Sequence, residues 1–222
     1  MPPKRKNRKQ LDVGTDQLIV DTAEMIIAQK GVEGLRLKDI AEEVGIKMPS
    51  LYSHFDSRGQ IIERIGERVV TSLSALFEDE PDTPPLDHLL KNLRRFAIGL
   101  MSNPAYVRIL LLDFASPTGS PEFNAVAGKP GEFSTTGPLR ETLTRLEDVL
   151  RRGEQSGQFR KIDATEFYNM VLGLIVVNVA FTHRSRNADK PGMYTTSLEN
   201  LLSQVETLTR RFVLLPDRDI PN

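Results

Sequence analysis

Leu35-Arg36-Leu37-Lys38-Asp39-Ile40-Ala41-Glu42-Glu43-Val44-Gly45-Ile46-Lys47-Met48-Pro49-Ser50-Leu51-Tyr52-Ser53-His54-Phe55 is the stretch whose reading decides the fold. Ile40, Val44, Ile46 and Leu51 are apolar where two crossing helices must touch, and Ala41 is small where their backbones come close. Gly45 can take the positive φ that a sharp helix exit needs, where other residues pay a steric cost. The pattern predicts a helix over 37–44, a tight turn, and a second helix over 49–55 that starts near Met48. The outer face of that second helix suits a DNA major groove.

Working outward, Ile19, Thr22, Ala23, Ile26 and Ile27 share one face at spacings of three and four, which predicts a preceding helix over 16–30. Thr15 is read as its N-cap and Gly31 as its C′ residue. On the other side, Ser57 and Gln60 form a capping box that opens a fourth helix. Its stripe of Ile61, Ile62, Ile65, Val69, Leu73 and Leu76 runs until the acid and proline of 78–82. The small unit alone cannot stabilise a helix of that length, so it leads into a second core. The expected division is a basic flexible arm over 1–14, a helix-turn-helix unit over 15–56, a helical domain over 57–215 and a tail over 216–222.

The second unit reads as helices throughout. Thr83 is expected to cap helix 5 with Pro84 at its first position, and Asn103-Pro104 restarts the chain as helix 6, with Val107, Leu110, Leu111 and Phe114 inward. Residues 116–137 read as a long loop punctuated by glycine and proline. Helix 7 begins at Pro138 with Leu139, Leu143, Leu146 and Leu150 inward. Asp163 and Glu166 open helix 8, which is apolar almost all round over 167–181, and such a helix has to be buried on every side. Its own domain plus a partner chain supplies that most readily, so Val171, Ile175 and Val179 are expected at a dimer interface. Helix 9 follows a capping box of Thr196 and Glu199, and Leu198, Leu201, Val205, Leu208 and Phe212 form a seam suited to pairing. Phe96, Leu100 and Met101 on helix 5, Leu110 and Phe114 on helix 6, and Phe167 and Met170 on helix 8 enclose the second core. Each is more often plain core than ligand contact; a mostly apolar pocket is the default for such an architecture. No strand pattern or internal repeat is found, so the fold class is all-α.

Composition limits the function. Of 222 residues, 39% are apolar and 27% charged, ordinary for a globular protein. There is no cysteine, which removes disulfides and thiolate chemistry and fits a reducing cytoplasm. No apolar segment near the start reads as a signal peptide, and the longest apolar run, 170–181, is too short for a membrane span. The net charge of −1 argues against a uniformly basic binder, yet Lys4, Arg5, Lys6, Arg8 and Lys9 face only Asp12 over the first thirteen positions. That run is either a solvated tail or, lying just before a DNA-binding motif, a phosphate-touching arm. Histidines 54, 88 and 183 are scattered, with 88 and 183 expected at the surface. No glycine-rich phosphate loop, H-E-x-x-H or G-x-S-x-G is present, so neither catalytic residues nor a metal or cofactor site is expected.

At Ile40-Ala41, Gly45 and Leu51-Tyr52-x-His54-Phe55, followed by Ser57-Arg58, the chain resembles the TetR (tetracycline-repressor) family of bacterial transcription regulators. The detailed resemblance covers roughly residues 16 to 62. It implies a homodimer, two recognition helices in successive major grooves of a palindromic double-stranded operator, and a C-terminal domain that binds a small-molecule effector. By position, Tyr52 and His54 match the family's backbone-contacting aromatic and imidazole, and Arg58 matches the basic residue placed to meet a phosphate at the start of helix 4. Pro49 and Ser50 match the face that meets base edges.

Two departures stand out. Arg36 occupies the place where the family usually has a capping Ser or Thr, and it can reach a phosphate but cannot cap. Lys47 moves positive charge into the turn, while Met48 can make only apolar contact, such as to a thymine methyl. The expected phosphate set is therefore the arm, Arg36, Lys38, Lys47, Tyr52, His54 and Arg58, with Met48, Pro49, Ser50 and Ser53 reaching bases. The rival is a helical protein–protein adaptor with a degenerate motif.

Overall fold

The computed structural model describes residues 8–115, 137–186 and 197–215, with side chains described over 14–112, 140–182 and 197–215. The order is α1 (Arg8–Lys30), a 3-10 turn (Val32–Gly34), α2 (Leu37–Val44), α3 (Met48–Tyr52), α4 (Arg58–Ser74), α5 (Pro85–Ser102), α6 (Pro104–Ala115), α7 (Gly137–Gln155), α8 (Ala164–Arg186) and α9 (Leu198–Val213). Among the described residues the only strand-like feature is one antiparallel bridge between Phe159 and Leu214.

α1 starts earlier than its apolar periodicity suggests. Thr15 lies inside it rather than capping it, because Arg8 to Val13 are adequate helix formers and extend the helix into what reads as a flexible arm. Its exit follows expectation: Gly31 has φ 81° and its N–H bonds Ile27 O at 2.9 Å. α2 ends in a Schellman motif, with Gly45 at φ 76°, Gly45 N–H to Glu42 O and Ile46 N–H to Ala41 O. α3 is shorter than expected, but Ser53 N–H to Pro49 O and Phe55 N–H to Leu51 O carry the turn on to Phe55.

Ser57 caps α4 by accepting from Gln60 N–H at 3.2 Å, while the Gln60 side chain returns to the Asp56 N–H rather than to Ser57. α4 stops at Ser74, so Leu76 falls in the connection to α5. Pro84, not Thr83, is the α5 N-cap, since the Thr83 hydroxyl donates to Glu80 instead. Asn103 caps α6 through Ala105 N–H, and Leu111, expected inside, is exposed. Asp163 caps α8 by accepting from Thr165 and Glu166 N–H, both at 2.9 Å. Ser197 rather than Thr196 caps α9, accepting from Asn200 N–H at 3.1 Å. Thr196, the 116–136 portion of the expected loop, arm residues 1–7, the tail from 216, and the side chains of Leu139, Phe114 and His183 lie outside the described residues.

One continuous core joins the two units, running from Ile19 through α4 to Leu214. α8 sits at its centre, against α5, α6, α7 and α9. By length and composition Ala164–Thr182 is long and apolar enough to cross a membrane, a longer apolar helix than the 170–181 run suggests. In the fold one side of it is buried among those helices.

That arrangement corrects the expected interface. Val171, Ile175 and Val179 are buried within the protomer, as are Leu201 and Val205 of α9, so they present almost no surface of their own. Phe212 is also engaged, its ring 6.0 Å from Phe167 with the Arg160 guanidinium 4.4 Å above it. The outward strip of α8 carries Val177 (48% exposed) and Phe181 (39%), and Leu198 and Leu208 are the exposed apolar residues of α9. Period-3.6 patterning identifies a helix that is apolar all round but does not say which strip turns inward.

His88 is a second correction. It is completely buried, not at the surface. Its Nε2 lies 2.8 Å from Glu78 O and its Nδ1 2.6 Å from Arg152 Nη2. Arg152 also donates to Asp148 and to the carbonyls of Pro81 and Thr83, and Arg145 of α7 donates to Phe77 O at 2.8 Å. Together they strap the α4–α5 connection onto α7. Gly153 gives the Phe159 ring its seat, since a Cβ there would stand 2.0 Å from Phe159 Cδ2.

Candidate nucleic-acid interface

α3 has one side in the core and one side free. Leu51 is fully buried, Phe55 is buried after it, and Met48 packs half-buried against the same cluster. Because 3.6 residues make a turn, fixing Leu51 inward turns Pro49, Ser50, Tyr52 and Ser53 outward, and Lys47, the extended N-cap residue before the helix, is exposed with them, Tyr52 by 49%. Met48 therefore offers only its outer edge. The Ser53 hydroxyl donates to Ser50 O at 2.6 Å, which leaves its oxygen free to accept.

Around this helix lie the cations. Arg36 is the N-cap of α2 without a side-chain capping bond, and it is exposed. Lys38 is exposed and loosely paired with Glu42 at 3.6 Å. Lys47 has no partner among the described residues. Arg58 is placed differently. Its Nη2 donates to Val32 O at 2.5 Å, so the guanidinium at the start of α4 is turned back onto the 3-10 turn after α1. Residue spacing gives no sign of that contact, which depends on how α1 crosses α4.

His54 is the other residue whose placement differs from a freely exposed one. Its side chain is 10% exposed and its Nδ1 lies 2.6 Å from Asp16 Oδ1 on α1. Asp16 Oδ1 is buried and has no hydrogen-bond partner, so it supplies charge at contact distance to the ring. Asp16 is a site residue the sequence reading did not find, because α1 and α3 are brought together only by the fold.

Residues 19–65 match the family model for bacterial regulatory proteins of the tetR family. The N-terminal domain belongs to the TetR family. The wider TetR-type fold extends across the chain: a tetR-family regulatory protein from Rhodococcus RHA1 superposes with a TM-score of 0.69 at 18% identity, covering 91% of this chain and 98% of that one. The nucleoid occlusion factor SlmA of Aliivibrio fischeri is 31% identical over 49% of this chain and 53% of its own length. The IcaR negative regulator of the icaADBC biofilm operon in Staphylococcus aureus is 48% identical over 21% of this chain and 25% of its own. The chain thus spans about half, or less, of the length of the curated relatives it matches.

The residues expected around an effector divide into two groups in this TetR-type fold. Phe96 is buried against Phe77, ring centroids 5.4 Å apart, and against Tyr168 at 6.4 Å. Leu100, Met101 and Leu110 are buried on α5 and α6, and Met170 is partly buried on α8. Phe167 instead pairs with Phe212. Burial pushes the Tyr168 phenol well above its ordinary value. No group of three or more potential metal ligands occurs among the described residues.

Proposed function

We propose that this chain is a homodimeric, cytoplasmic transcription repressor whose two α3 helices enter successive major grooves of a palindromic operator. The observation that carries this reading is the split α3, with Leu51 locked in the core and Lys47, Pro49, Ser50, Tyr52 and Ser53 all facing out. Arg36, Lys38, Lys47, Tyr52 and His54 meet phosphates, and Pro49, Ser50, Ser53 and the edge of Met48 read bases at about 1–3 kcal/mol for each good bidentate pair. Arg58 acts as a brace for the helix-turn-helix. The IcaR relative is a negative regulator, which favours repression over activation.

Two copies pair through the outward strips of α8 and α9, Val177 and Phe181 with Leu198 and Leu208. That pairing sets the two α3 helices about 34–36 Å apart. The effector is a small, largely apolar molecule held among α4 to α8, near Phe96, Leu100, Met101 and Met170. It binds the spacing that does not fit DNA more tightly and so shifts the population off the operator.

A gel shift with the DNA flanking the chain's own gene, against salt-matched random competitor, tests the reading. Retention that weakens with salt by about 0.9 in log–log slope for each phosphate met is the expected result. A protein that runs as a single subunit and retains no duplex removes the proposal and leaves the adaptor reading.

A further inference from the structure

We propose that Gly173 is the point where α8 crosses α8 of a second copy of this chain, beside the two-fold axis, its missing side chain letting the two backbones approach. The inference rests on the homodimer reading above and fixes where, and how closely, its helices meet.

Within its own protomer, Gly173 has no reason to be glycine. It lies at the middle of the apolar stretch Ala164–Thr182 and is exposed. It is not among the glycines held at positive φ. A Cβ built on it would meet nothing within 4 Å among the described residues. Alanine would therefore fit, and it would suit the helix better, since an interior glycine weakens a helix. Gly99 and Gly153, also inside helices, differ: a Cβ there would stand 2.6 Å from Leu76 Cδ1 and 2.0 Å from Phe159 Cδ2. The neighbour that needs Gly173 bare comes from outside the protomer.

The surroundings of Gly173 identify that neighbour. Asn169, Gly173 and Val177, spaced by four, form one exposed ridge of α8. No charged residue occurs from Phe167 to Thr182, a length of about 24 Å. Of the apolar stretch, 39% is buried in the protomer. A two-fold axis sets a surface against its own copy, so a charge near the axis would face the same charge; this ridge carries none. A bilayer would match the composition of the ridge but not its setting. The other side of α8 packs on α5, α7 and α9, whose exposed faces carry Arg94, Glu141 and Glu206. With glycine on both sides, the axes can come closer than the usual separation of about 8–10 Å.

The test uses the full chain, which has no cysteine, so Gly173→Cys adds one thiol per subunit. Two such thiols can join only when their Cα atoms lie within about 7 Å. Oxidation with copper–phenanthroline should convert most of Gly173→Cys to a covalent dimer, seen by electrophoresis without reductant. Ser203→Cys, also exposed but on the side of α9 that faces α5, should stay uncoupled. Gly173→Leu should raise the dimer dissociation constant at least about tenfold in sedimentation, because a side chain is forced into the crossing. Its helix content by circular dichroism should match wild type, since the lone protomer has room for the side chain. With wild type a dimer, a Gly173→Cys that fails to couple, or a Gly173→Leu that pairs as tightly as wild type, overturns the crossing and leaves pairing through α8 and α9 standing. A wild type that stays a single subunit, or that floats with phosphatidylglycerol vesicles instead of pairing, removes the homodimer reading itself.

Discussion

Arg152 Nη2 stands 2.6 Å from His88 Nδ1, and because a guanidinium can only donate, the imidazole accepts. The remaining ring proton is then on Nε2, where it donates to Glu78 O at 2.8 Å. His88 is a neutral structural bridge, fully buried, joining α5, α7 and the connection between α4 and α5. His88→Ala should lower the unfolding free energy by about 2–3 kcal/mol, since it empties a packed site and strips a part-buried charged donor of a partner. His88→Gln can keep both bonds, its amide oxygen accepting and its nitrogen donating, and should recover much of the loss. Denaturant titration of the two variants checks this; equal losses would show that side-chain volume rather than the bridge matters.

Arg58 occupies the position of a phosphate contact yet points at Val32 O. The two roles leave different signatures. As a brace, Arg58→Ala should cost about 1.5–3 kcal/mol of stability, the range for a hydrogen bond from a charged donor, and leave the salt dependence of DNA binding unchanged. As a phosphate contact, it would instead reduce that slope by about 0.9. Thermal unfolding paired with a salt series on the same variant decides between them.

How far the fold could be read in advance follows from how local each signal is. The turn at Gly45, the buried Leu51 and the Ser57 cap are set by neighbours within a few residues, and they stand where the spacing places them. Val171 and Val177 are the same residue type on one helix, yet the first is core and the second faces out. Only the crossing of α8 with α5, α6, α7 and α9 separates them. Arg58 with Val32 O, His54 with Asp16, and His88 with Arg152 are likewise contacts between helices distant in the chain. A polar side chain carries no mark in the sequence of being folded inward. The candidate interface was therefore legible as a face of α3, whereas the residues that hold that face in place were not.

The proposed pairing surface can be tested against the core that lies beside it on α8. Val177→Asp with Phe181→Asp on α8 should weaken self-association by at least about 100-fold, roughly 3 kcal/mol, while leaving the helical fold intact. Ile175→Asp, two residues from Val177 but fully buried, should unfold the protomer instead. Sedimentation together with circular dichroism reads both. A Val177/Phe181 variant that remains dimeric would move the interface elsewhere on α8 and α9.

Arg68 ties α4 to α1 through Asp21 Oδ1 at 2.6 Å and Glu24 Oε1 at 3.2 Å, and it makes the stability of this junction pH-dependent in an unusual direction. Burial raises the Glu24 pKa above its ordinary 4.5, outweighing the lowering from the Arg68 bond and charge. The Arg68 guanidinium moves upward too: burial opposes its charge, but the bonds it donates to Asp21 and Glu24, with their charge, prevail. For Glu24 the folded state binds the proton more tightly than the unfolded chain. Its contribution to stability is therefore fully present below pH 4.5 and is lost as pH rises through the elevated folded value. Glu24→Gln fixes the neutral form. Relative to wild type it should gain stability as the pH climbs out of the acid range and then level off, with the smallest gain at the acid end. Urea unfolding of both proteins across that range measures the difference. A gap that instead narrows with rising pH would mean that the ion pair with Arg68, rather than desolvation, governs this carboxylate.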